Sequence, residues 1–132
     1  MSIASETSAR PGLQAYNDSV RLETGDVVSG LREIVGAKLV AYIGHVSNTR
    51  SVREWADGER APGAEVIQRL RVAYHVAGLL YEREGKATVQ SWFQGMNPQL
   101  DDNAPARLLR DEPLDVVGPQ VVAAARAFAA VG

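Results

Sequence analysis

The chain has 132 residues, no cysteine and a formal net charge of −2. That length suits one ordinary domain, or a small domain with an appendage. The lack of cysteine excludes disulfides, thiolate metal sites and a cysteine nucleophile, and it agrees with a reducing, cytoplasmic setting. Hydrophobic residues at 45% and charged residues at 23% give the balance of a soluble globular protein. Met1 to Gly12 lacks the basic start and apolar core of a signal peptide. No run approaches the roughly 20 apolar residues that span a membrane. Charge is uneven along the chain. Residues 1–30 carry two Arg against four acids, residues 31–75 seven Lys/Arg against five, and residues 76–132 five against seven, giving −2, +2 and −2.

Residues 1–24 read as a polar, largely mobile lead-in, with Leu13, Tyr16, Val20 and Leu22 able to form a short amphipathic turn. From Thr24, an N-cap type, Val27, Val28, Leu31, Ile34 and Val35 follow at helical spacing up to Gly36. Leu39, Val40 and Ile43 form the apolar stripe of the next helix, which ends at Gly44. Ser47 and Asn48 are N-cap types for a third helix, which runs to about Asp57 with Gly58 as its stop. After Pro62 and Gly63 a long helix is predicted from Ala64 to about Glu84, with Gly85 ending it. Thr88 is read as the cap of a short helix through Gln94, with Val89, Trp92 and Phe93 inward. Residues 96–105 are turn-rich, Ala106 to Arg110 form a brief helix, and Pro119 suits the first turn of a last, Ala-rich helix to Val131. No strand pattern appears. The fold class is therefore all-α, a helical bundle containing a helix-turn-helix.

The segment from Leu39 to Pro62 carries that motif. Its first helix has an apolar face and small residues at Ala41 and Gly44, with Gly44 permitting the turn. Val52 and Trp55 anchor the second helix from behind. The polar residues Ser47, Asn48, Thr49, Arg50, Ser51 and Arg53, with Arg60 in the following loop, are the candidate DNA contacts. Arginine can bridge guanine O6 and N7, and the hydroxyls can bond phosphate. The positive excess here is small, so binding is expected to need a dimer or a larger assembly.

The ending Trp55-Ala56-Asp57-Gly58-Glu59-Arg60-Ala61-Pro62 resembles the tryptophan, glycine, proline ending of Xre-type repressors, although the turn between Gly44 and Trp55 is longer than in that pattern. Downstream, Trp92, the Asn97-Pro98-Gln99-Leu100 turn and Pro105 with Leu108 and Leu109 occur in an order that resembles the C-terminal domain of Xre/MbcA/ParS-type antitoxins. The two resemblances together span about residues 26–131. They imply a lead-in over 1–24, a DNA-binding region over 25–85 and a C-terminal toxin-binding helical region over 86–132. They further imply an antitoxin that neutralises a RES-domain, NAD-consuming toxin by direct binding and represses its own operon. Trp55, Gly58, Pro62, Trp92, Pro98, Leu100, Pro105, Leu108 and Leu109 would hold the structure together. Toxin contact would fall on the last helix, at Arg126, Phe128 and Val131. The partners expected are a cognate RES-domain toxin, operator DNA, and a second copy or a toxin–antitoxin hetero-oligomer. A stand-alone Xre-like regulator dimerising through its C-terminal region is the alternative. Neither a cofactor nor a metal is expected. His45 and His75 lie on separate elements without ligands at metal spacing, and no nucleophile-elbow, phosphate-loop or dinucleotide motif occurs, so no enzyme activity is expected.

Overall fold

The computed structural model of the chain describes residues 12–131, which form eight α-helices and one 3₁₀ turn. The helices are α1 (Leu13–Arg21), α2 (Thr24–Val35), α3 (Ala37–Ile43), α4 (Thr49–Ala56), α5 (Ala64–Tyr81), α6 (Lys86–Gln94), α7 (Pro105–Asp111) and α8 (Leu114–Val131). The 3₁₀ turn spans Pro98–Leu100. Among the described residues there is no strand, only an isolated bridge between Asn97 and Asn103. The all-α class is as the sequence predicts.

The centre of the bundle is α5, which packs against α1, α2 and α8. Leu70, Ala73, Val76, Ala77, Leu79 and Leu80 are buried, while Tyr81 is exposed. A helix buried on several sides has no single apolar face to read. One continuous core joins residues of α2 to α5 with Trp92, Phe93, Leu100, Leu108, Leu109 and the inner face of α8.

Two expectations are corrected. The first is the lead-in, because residues 13–21 form a helix rather than a turn. Its inner face is Ala15 and Ser19, whereas the predicted anchors Tyr16 and Val20 are exposed. Small residues permit close approach here: a Cβ on Gly78 would come within 2.6 Å of Ala15 Cβ. Arg71 Nη1 donates to the Ser19 carbonyl at 2.8 Å, and the Gly12 N–H donates to both Glu82 carboxylate oxygens at 3.0 and 3.2 Å. Residues 1–11, the rest of the expected lead-in, lie outside the described residues.

The second correction is the start of the last helix, which opens at Leu114 and carries Pro119 inside it. A proline disfavours helical backbone in the residue before it, partly through that residue's Cβ. Gly118 has no Cβ, so the helix passes through. Smaller differences are the end of α5 at Tyr81 and the start of α6 at Lys86, two residues before Thr88. With 18 residues and a mean hydropathy of 1.4, α8 is long and apolar enough to cross a membrane. Its Val117, Val121, Ala124, Ala125 and Ala129 are packed in the core, and a third of that window is buried.

A buried arginine joins the two halves. Arg69 on α5 is 8% exposed. Its Nη1 donates to the carbonyls of Leu109 at 2.6 Å and Glu112 at 2.7 Å, and its Nη2 pairs with Glu65 at 2.8 Å. The last carbonyls of a helix lack intrahelical partners, and Arg69 supplies them for α7.

Candidate nucleic-acid interface and C-terminal groove

The pair α3–α4 is built as the motif requires. Leu39, Val40, Ala41 and Ile43 are buried on α3, and Val52 and Trp55 on α4. Residues 44–48 connect them, a turn longer than the usual three to four residues. The basis of the turn is corrected. Gly44 has φ −83°, which any residue adopts. The left-handed residue is His45, with φ 62°. Gly44 is needed for a different reason: a Cβ there would lie 3.0 to 3.1 Å from the Trp55 ring. Past the end of α4 the left-handed position is Gly58, φ 78°, as its place in the pattern predicts. Pro62 beyond it is buried.

Asn48 is the N-cap of α4. Its side-chain oxygen accepts from the N–H of Arg50 at 3.1 Å and of Ser51 at 3.4 Å, so it is committed to the helix end. Ser47, Thr49, Arg50, Arg53 and Arg60 are all exposed, and Ser51 is half-buried. The outward face of α4 is thus polar and accessible. Its charge, however, is matched. Arg50 lies 3.4 Å from Glu54, and Arg60 lies 3.7 Å from the other oxygen of the same carboxylate. Arg53 lies 3.8 Å from Asp57 and 3.9 Å from Glu59. Three guanidiniums face three carboxylates, so the helix presents almost no net positive field. Glu54 is the most sheltered of the acids, its side chain only 14% exposed.

The turn touches the C-terminal half. Arg110 of α7 stacks over the Tyr42 ring, 4.6 Å from its centroid. Its Nε donates to His45 Nε2 at 3.3 Å, while Asp111 Oδ1 lies 3.2 Å from that same nitrogen. One Nε2 cannot accept from Arg110 and donate to Asp111 together, so which contact is a hydrogen bond is set by which ring nitrogen carries the hydrogen. His75, by contrast, is packed at 7% exposure, edge-on to Tyr16 at 5.4 Å, with Nε2 unpartnered. Burial, and then the charge of Arg126, push its pKa below the ordinary value of 6.5.

The C-terminal motif residues are placed as anchors. Trp92, Leu100, Pro105, Leu108 and Leu109 are buried, and Pro98 opens the 3₁₀ turn behind Asn97, whose side chain accepts from the Gln99 N–H at 2.9 Å. The candidate toxin contacts divide between two flanks of α8. Phe128 and Val131 border an apolar groove of about 540 Å³ with Trp92, Met96 and Pro98. Met96 is 80% exposed, Val131 88% and Phe128 38%. Arg126 instead lines a separate pocket with Arg83. Sequence reasoning missed Met96, an isolated methionine in a turn-rich stretch with no periodicity to mark it. Among the described residues no group of three His, Asp or Glu side chains is placed to hold a metal ion. Compared with protein-family models, curated proteins and solved structures, the chain matches none.

Proposed function

We propose that the chain is an antitoxin that binds and neutralises a RES-domain, NAD-consuming toxin and, within that assembly, represses its own operon through α3–α4. The observation that carries this reading is the apolar groove at Met96, Phe128 and Val131, lined in part by Trp92 and Pro98 of the segment that resembles the antitoxin domain. Three large apolar side chains clustered at the surface suit a protein partner better than solvent. The accessible polar face of α4 supports the operator-binding part. Co-expression with the product of the neighbouring gene tests the proposal: that product should arrest growth alone, and this chain should restore it. A harmless neighbour, or arrest that persists with this chain present, would overturn it.

A second reading is favoured by the carboxylates beside Arg50, Arg53 and Arg60. In it the chain is a protein-binding module whose helix-turn-helix does not engage DNA. Gel shifts on the upstream DNA, with and without the partner, separate the two, because the second reading expects no retardation in either lane.

A further inference from the structure

On the flank of α8 away from the groove, Arg83 and Arg126 line a pocket of about 130 Å³ with Leu79, Ala129 and Ala130. Arg83 Nη1 donates to the Ala129 carbonyl at 3.3 Å, which fixes that guanidinium beside α8. Among the described residues neither arginine has a carboxylate within 4.0 Å, in contrast to Arg50, Arg53, Arg60, Arg69, Arg107 and Arg110. Glu82, next to Arg83 in sequence, is committed to the Gly12 N–H. His75, one helical turn before Leu79, feels the Arg126 charge and adds no negative group. Two cations therefore share a small pocket whose other walls are apolar. Apolar walls lower the local dielectric and strengthen the attraction of any anion that enters.

We propose that this pocket binds a phosphate group, held between the guanidiniums of Arg83 and Arg126. Paired guanidiniums match the oxygens of a tetrahedral dianion and its charge. The volume exceeds the roughly 30 Å³ that a water occupies, so there is room for a tetrahedral ion. The phosphate arrives either as the free ion or as the monoester end of a small molecule. The site uses neither the groove nor α4 and shares only Arg126 with the expected toxin contacts, so phosphate binding by the chain alone tests it apart from the antitoxin reading.

The test is an amide-resolved NMR titration of the full chain at constant ionic strength. One arm uses inorganic phosphate, a second glycerol 1-phosphate, and the controls are chloride and acetate. The proposal expects saturable shifts confined to residues 79–83 and 126–130 with phosphate or its ester, and the tighter arm identifies the source. Arg126→Gln should weaken binding at least about tenfold, the loss of one charge-assisted partner. Arg126 makes no hydrogen bond within the described residues, so this variant keeps the fold. Arg83→Gln should act similarly, with thermal unfolding as its check, because it also loses the Ala129 link. Shifts that do not saturate, that acetate or chloride reproduce, or that persist in Arg126→Gln would overturn the proposal.

Discussion

Gly44 and Asn48 show how single residues hold the candidate reading head in place. Gly44 matters for what it lacks. Any Cβ would press on the Trp55 ring at 3.0 Å, and Trp55 is itself buried against α3. Gly44→Ala should destabilise the fold by about 1–3 kcal/mol, the range of an overpacked core, measured by denaturant unfolding. Asn48→Ala removes a cap that satisfies two N–H groups and should cost about 1 kcal/mol. The second loss would be local, so hydrogen exchange at residues 49–51 should rise more than at α5. Arg69 is a residue of a different kind. Arg69→Met leaves the Leu109 and Glu112 carbonyls without their donor and should cost about 2–4 kcal/mol. Glu65→Gln, which loses only a partner whose own side chain is 76% exposed, should cost less than about 1 kcal/mol. Equal effects of the two would mean that the ion pair, not the carbonyl clamp, carries the stability.

At the level of elements, α2, α3 and α4 were legible because five apolar residues at helical steps, a glycine break, the Asn48 N-cap and a glycine stop agreed, although the N-cap of α2 is Glu23 and Thr24 lies inside the helix. The elements that were misread failed for physical reasons. The inward face of α1 is the small pair Ala15 and Ser19, so the larger Tyr16 and Val20 pointed to the face that is exposed. The start of α8 was hidden because Pro119 has the look of a first-turn proline, and only the Gly118 beside it allows helix on both sides. Of the candidate interface, the exposed polar face of α4 was legible, and so in principle were the pairs Arg50–Glu54 and Arg53–Asp57, four residues apart. The return of Glu59 and Arg60 around the left-handed Gly58 was not, since it depends on a backbone reversal. That return decides the electrostatics of the element. Any DNA phosphate that approached α4 would have to displace these carboxylates. Glu54→Gln frees both Arg50 and Arg60 and should tighten binding to upstream DNA. It should also steepen the salt dependence by about one unit of log K against log salt for each further phosphate that these arginines neutralise. A gel-shift series in rising salt measures this. Unchanged, absent binding in Glu54→Gln favours the module that does not engage DNA.

Across the whole molecule, Tyr16 of α1 packs on the buried His75 and the charge of Arg126 on α8 reaches it, and this couples the fold to pH. The folded environment holds His75 neutral, first by burial and then through Arg126. In the unfolded chain its pKa returns to about 6.5. Between the lowered folded value and 6.5, the unfolded chain binds a proton that the folded chain does not. Stability is therefore complete above about 6.5 and declines as pH falls through that window, by at most about 1.4 kcal/mol per pH unit for one site. Carboxylates act in another window. Glu33, whose hydrogen bond and ion pair with Lys86 lower its pKa from 4.5, favours the fold above that value and ceases to as pH falls further. Comparing wild type with His75→Gln isolates the histidine, since the carboxylates are common to both. Chemical unfolding at pH 7.5, 6.5 and 5.5 should show wild type losing stability on acidification and His75→Gln losing less. Because Tyr16 rests edge-on against His75, the loss should begin at α1. Protection factors, which correct for the slower intrinsic exchange at low pH, should fall in residues 13–21 at pH 5.5 ahead of residues 70–80, and this early opening should vanish in the variant. Parallel pH profiles for the two proteins would show that His75 is accommodated when protonated and that α1 does not depend on its neutrality.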